Sequence, residues 1–212
     1  MTALVAGLVS AADGGVPAIR YLALGDSFTI GTGTPERLNF PSQLAALLRR
    51  RGHDVRLENV AVNGYSTKEL IRDELPALAV VKPTHVTLAI GANDLVRGSR
   101  PDEYRARLKQ IFTRLQAAGL GGSRLLVLPQ PDWSRAPIAE AFGDRDELAA
   151  RIEAFNAILS EETKAAGGVY VDLWPLMQAQ AARKQFADDG LHPGQTAYTA
   201  WAEALVERFE LR

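Results

Sequence analysis

Five strand-like stretches recur along the chain, separated by segments with helical spacing. Residues 19–25, "IRYLALG", form a nearly unbroken apolar run ending at a glycine, as a strand buried on both faces does. Residues 84–91, "THVTLAIG", and 124–129, "RLLVLP", read the same way. "DVRLENVAV" (54–62) alternates apolar and polar positions, and "VYVDL" (169–173) is brief, so both are expected at sheet edges. Leu44, Leu47 and Leu48 stripe one face of a helix from Pro41 to Arg51. "STKELIRDEL" (66–75) predicts a helix capped by Ser66, with Glu69 completing a capping box. Tyr104, Leu108, Ile111, Phe112 and Leu115 predict a helix over 101–119. Leu148, Ile152, Phe155 and Leu159 mark another, and Tyr198, Trp201, Leu205, Val206 and Phe209 a terminal one.

Strands that alternate with helices pair in parallel, with helices covering both faces of one sheet. The expected fold is α/β: a single-domain, three-layer α/β/α sandwich around a five-stranded parallel sheet. Apolar strands one, three and four in the middle give the flavodoxin-like order 2-1-3-4-5, whose switch point lies between strands one and three. The domain is expected over 18–212. Residues 1–17 read as an N-terminal extension, flexible or a signal remnant; "MTALVAGLVSAA" is apolar but lacks a basic start. One stretch fits no element: "PQPDWSRAPIAEAFGDRDE" (129–147) is long and proline-punctuated, as insertions over a site often are.

Composition narrows the chemistry. With 24 basic and 25 acidic residues among 212, there is no electrostatic case for nucleic acid. The absence of cysteine excludes disulfides, thiol nucleophiles and Cys-ligated zinc. No apolar run is long enough for stable membrane insertion. The chain reads as soluble, with the cytoplasm favoured over periplasm or secretion and no oligomeric state specified.

Ligands of doubly wound sheets bind beyond the carboxyl ends of the strands. Ser27 follows strand one in "GDS", Gly64 strand two in "NGYS" and Asn93 strand three in "GAND". Asp189 and His192 come in "DDGLHPG", after strand five and before the last helix. A hydroxyl, an imidazole, a carboxylate, a backbone amide and a carboxamide suit acyl transfer. His192 would take the Ser27 proton and return it to the leaving alcohol, and Asp189 would hold the imidazole. The Ser27 and Gly64 amides and the Asn93 side chain would receive the oxyanion.

Other readings of these residues are structural. Asp26 is expected to brace the serine turn and Asp94 to serve as a turn or cap residue, while Asp188 competes with Asp189 as the partner of His192. His53 and His85 belong to the opposite rim. Gly31 and Gly33 do not make a phosphate loop, for no Lys-Ser/Thr pair or third glycine follows. Trp133, Trp174 and Phe186 are candidates for pocket lining or for packing.

The blocks "GDSFTIGTG", Gly64 in "NVAVNGYST", "GANDL" (91–95) and "DGLHP" (189–193) occur in order across nearly the whole chain. In this the sequence resembles the GDSL esterases and lipases of the SGNH hydrolase superfamily, with Phe28 in place of the usual leucine. The resemblance implies the three-layer fold and a hydrolase needing neither metal nor cofactor. It also implies Ser27 as nucleophile, Asp189 and His192 completing a triad, and Gly64 and Asn93 as oxyanion-hole donors. The expected activity is esterase or lysophospholipase-type cleavage of small or single-chain acyl esters. Thioesterase, carbohydrate deacetylase and acyltransferase activity use the same triad, and a flavodoxin-like binding module is the non-enzymatic alternative.

Overall fold

The computed structural model describes residues 18–209; the N-terminal extension predicted over 1–17 lies outside the described residues. Five strands, β1 (Ile19–Gly25), β2 (Val55–Asn59), β3 (His85–Ala89), β4 (Gly122–Val127) and β5 (Gly168–Tyr170), form one sheet in the order β2-β1-β3-β4-β5. Every pairing is parallel. The predicted order and the predicted edge strands are therefore the observed ones.

Side-chain alternation explains the two outer layers. Leu22 and Leu24 of β1 face the same layer as Leu88 and Val127, whereas Tyr21 and Ala23 face the other with Leu126. The first layer is closed by α6 (Pro101–Ala117), through Tyr104, Leu108 and Phe112, and by α7 (Arg145–Ala165), through Ile152 and Leu159. The second is closed by α2 (Phe40–Arg50), through Phe40, Leu44 and Leu48, and by α9 (Gln195–Val206), through Tyr198, Trp201 and Leu205. Burying each such side chain contributes roughly 1.5–3 kcal/mol before entropy is counted. The short helices α1 (Ser27–Ile30), α3 (Thr67–Glu69), α4 (Ala77–Val81), α5 (Ala92–Val96) and α8 (Trp174–Ala182) complete the set.

Two segments depart from expectation. The helix predicted over 66–75 keeps its Ser66–Glu69 capping box, but after α3 it widens into a π-helical turn, Leu70–Glu74, in which Leu75 N–H donates to Leu70 O at 3.1 Å. The widened turn leaves Leu70, Glu74 and Leu75 all buried. The 129–147 segment contains two 3-10 turns, Trp133–Arg135 and Ala139–Phe142. It packs beside the Asp189–His192 loop, where Ile138 N–H donates to Gly190 O at 3.3 Å.

Candidate active site

The serine turn is built by close approach of backbone to backbone. Gly25 ends β1 at φ +153°, and a Cβ there would lie 2.3 Å from the Ala89 carbonyl oxygen of β3. Only glycine fits so tight an exit. Asp26 caps α1 by accepting from Phe28 N–H at 3.0 Å, as expected of a brace. Ser27 is thereby the first helical residue, 7% exposed, with Gly31 closing the turn in the left-handed region. As in any first helical turn, the Ser27 N–H has no partner inside its own helix.

Asp189 and His192 come from a loop pinned between two backbone contacts. Ala187 N–H donates to His192 O at 2.7 Å, and Gly194 N–H to Gln185 O at 2.9 Å. Asp189 Oδ1 accepts from the N–H groups of Leu191 and His192, both at 2.9 Å, and Oδ2 lies 2.7 Å from His192 Nδ1. Partial burial opposes ionisation of Asp189, but these hydrogen bonds outweigh it and hold the carboxyl below its ordinary range. With a carboxylate on Nδ1, that nitrogen carries the proton and Nε2 is left as the acceptor.

The rim brings the two ends of the chain together. The His192 ring lies 5.3 Å from the ring of Phe28, the residue after Ser27. Gly33, on the loop leaving α1, lies against Ala187 and Asp189. Among the described contacts, no hydrogen bond joins Ser27 Oγ to the imidazole. Such bonds are often long in unliganded enzymes and tighten with substrate. Asp188 makes no described bond to His192, so among the described residues Asp189 is the imidazole's hydrogen-bond partner. His85 begins β3 at the opposite rim and stacks on Phe209 at 5.0 Å.

Gly64 sits at φ +83° with open space where a Cβ would be. Its carbonyl accepts from Arg97 at 2.6 Å, and Arg97 also pairs with Glu69 at 2.8 Å, which ties the loop after β2 to the end of α5. Asn93, on α5, uses one amide hydrogen to hold Tyr65 O at 2.9 Å. An amide nitrogen carries two hydrogens, so one remains to donate elsewhere. Asp94 has the expected structural role. It is fully buried, accepts from Thr67 N–H at 2.8 Å and pairs with Arg107 at 3.3 Å.

The aromatic candidates are placed differently. Trp133 is 2% exposed in the core and edge-on to Phe142 at 5.3 Å. Trp174 and Phe186 pack against the same core. A groove of about 460 Å³ opens elsewhere, lined by Ile30, Gly31, Thr34, Glu36, Ala61 and Val62 among others. It adjoins the serine turn through Ile30 and the Gly64 loop through Asn63. Sequence reading missed it because its walls come from two loops with no shared periodicity. Among the described residues there is no His/Cys/Asp/Glu cluster able to hold a metal, and no helix is long and apolar enough to cross a membrane.

These features are those of an acyl-group hydrolase. Residues 23–200 match the GDSL-like Lipase/Acylhydrolase family, and the chain belongs to that family. It is a carboxylic ester hydrolase, which sets aside the flavodoxin-like binding module. The chain is 25% identical over 190 residues to an arylesterase of Vibrio mimicus, covering 89% of this chain and 86% of that one. It is 26% identical over 193 residues to "Thioesterase 1/protease 1/lysophospholipase L1" of Escherichia coli K12, with 89% and 82% covered. The crystal structure of TesA superposes with a TM-score of 0.72 at 24% identity, over 90% of this chain and 97% of that one, which shows the shared fold.

Proposed function

We propose that the protein cleaves carboxylic esters of small or single-chain acyl groups through an acyl-enzyme on Ser27. His192 Nε2 takes the Ser27 proton as Oγ attacks the acyl carbon, and Asp189 stabilises the imidazolium that forms. The Ser27 and Gly64 N–H groups and the second amide hydrogen of Asn93 receive the oxyanion. Collapse breaks the ester bond, and the imidazolium protonates the departing alkoxide. Water then attacks the acyl-enzyme with His192 again taking the proton, releasing the acid and restoring Ser27. The acyl group lies in the Ile30–Val62 groove.

The observation that carries this reading is the 2.7 Å Asp189–His192 pair, with its imidazole set against Phe28 beside Ser27. The test is a panel of p-nitrophenyl acetate, butyrate and longer esters, with fluorophosphonate labelling. Turnover and labelling at Ser27, both lost in Ser27→Ala, are expected. Equal turnover by wild type and Ser27→Ala would refute the assignment. Thioesters, acetylated sugars and added alcohols in the same panel separate thioesterase, deacetylase and acyltransferase activity, which share these residues.

A further inference from the structure

Beneath the serine turn lie two acids that the hydrolytic scheme does not use. Asp26 and Glu74 are each 1% exposed. Glu74, the last residue of the π-helical turn, accepts from Gly25 N–H at 2.9 Å through Oε2. Asp26 accepts from Phe28 N–H at 3.0 Å through Oδ1. The two carboxyls thus hold the backbone on either side of Ser27. Their second oxygens, Asp26 Oδ2 and Glu74 Oε1, are buried without a hydrogen-bond partner among the described residues.

A bare, buried carboxylate oxygen is unfavourable, whereas a protonated carboxyl removes the charge and adds a donor. No described ion pair brings a cation to either acid. The titratable groups around them are Asp73 on the same turn as Glu74, Asp94 on α5 with Arg107 of α6 paired to it, Tyr104 of α6 and Tyr198 of α9. Arg107 is engaged by Asp94, and burial keeps Tyr104 and Tyr198 neutral.

We propose that Glu74 is a positioning residue for Ser27: a neutral carboxylic acid that fixes Gly25 and spares the turn a second negative charge beside Asp26. The inference rests on Ser27 being the nucleophile. Burial, with the Asp26 and Asp73 charges adding to it against the Gly25 hydrogen bond, raises the Glu74 carboxyl to about 9. Burial likewise raises Asp26 to about 7. Above the Glu74 value both acids are ionised, their repulsion opens the turn, and the hydroxyl loses its alignment.

The experiment compares wild type, Glu74→Gln and Glu74→Leu for kcat and KM on p-nitrophenyl acetate across alkaline pH. It also follows the Gly25 amide resonance by NMR. One unit above its pKa a group is only about one-tenth protonated. Wild-type kcat should therefore fall roughly tenfold between about pH 8 and about pH 10 with KM steady. Glu74→Gln still offers Gly25 an acceptor but does not ionise, so its profile is flat over that window. Glu74→Leu leaves the amide bare and has a depressed kcat at every pH. The Gly25 resonance should titrate near 9 in wild type and not in Glu74→Gln. Parallel alkaline decline of wild type and Glu74→Gln, or a Gly25 resonance that titrates alike in both, would overturn the proposal. If ester turnover survives Ser27→Ala, the nucleophile assignment fails instead, and the Gly25 titration still decides whether Glu74 acts on the turn.

Discussion

A Cβ placed on Gly33 would lie 2.9 Å from Asp189 Oδ2, the oxygen that faces the His192 ring. The loop leaving the serine turn therefore sets the space in which the imidazole's partner sits. Gly33→Ala adds a methyl at φ +83°, where a left-handed non-glycine residue costs roughly 1–2 kcal/mol. It should lower kcat by up to about 10²-fold, the order expected for misplacement by about an ångström. Steady-state kinetics with a thermal melt check this; unaltered kcat would mean that Asp189 tolerates displacement.

Asp188 and Asp189 are adjacent acids with different fates. Asp189→Asn removes the charge from His192 Nδ1 and should reduce kcat about 10³–10⁴-fold, because the imidazole loses its required tautomer. Exposed Asp188→Asn should remain within about twofold, as surface substitutions usually do. Equal losses in both variants would argue against the asymmetry of the loop.

Asn93→Ala deletes the amide proposed as an oxyanion donor and also the tie to Tyr65 O. A fall of about 10²–10³-fold in kcat is expected, with KM little altered, since the donor acts on charge that develops only in the transition state. A change confined to KM would show that Asn93 binds ground-state substrate.

Acid and alkali act on different carboxyls. Glu69 is held at about 2 because hydrogen bonds from Ser66 and the charge of Arg97 outweigh its burial. Its contribution is present above the ordinary value of 4.5 and is lost as pH falls toward about 2. Glu74 has the opposite sign. Its folded value of about 9 exceeds 4.5, so the native chain binds more protons between them and stability declines as pH rises through that window. Urea midpoints at about pH 5 and about pH 9 should fall in wild type and fall less in Glu74→Gln. Identical declines would contradict the Glu74 value.

Val62→Trp would fill the groove beside Gly64 without touching Ser27. Turnover of acetate should persist while esters with longer acyl chains lose at least tenfold in kcat/KM, since each buried methylene is worth about 0.8 kcal/mol. An unaltered chain-length profile would place the acyl group elsewhere.

The sheet order and the rim residues were legible because polarity changes abruptly at them. Apolar runs stop at Gly25 and Gly91, and the turn residues that follow carry the polar groups. Glu74 was not legible, for an acid within "LIRDEL" reads as a solvent-facing helical position. Its burial depends on the π-turn and on Gly25, far away along the chain. Trp133, read as lining or packing, packs, with Phe142 and the core enclosing it. For Glu74, contacts between distant segments outweighed the local pattern.

Because Ser27 lies in the first strand–helix turn and His192 just before the last helix, the proposed mechanism requires docking of nearly the whole chain before hydrolysis begins. Contacts of such long sequence separation pay their loop-closure entropy late in folding. Recovery of turnover after dilution from denaturant thus becomes a clock for the final consolidation of the sheet, lagging signals that report only helix formation.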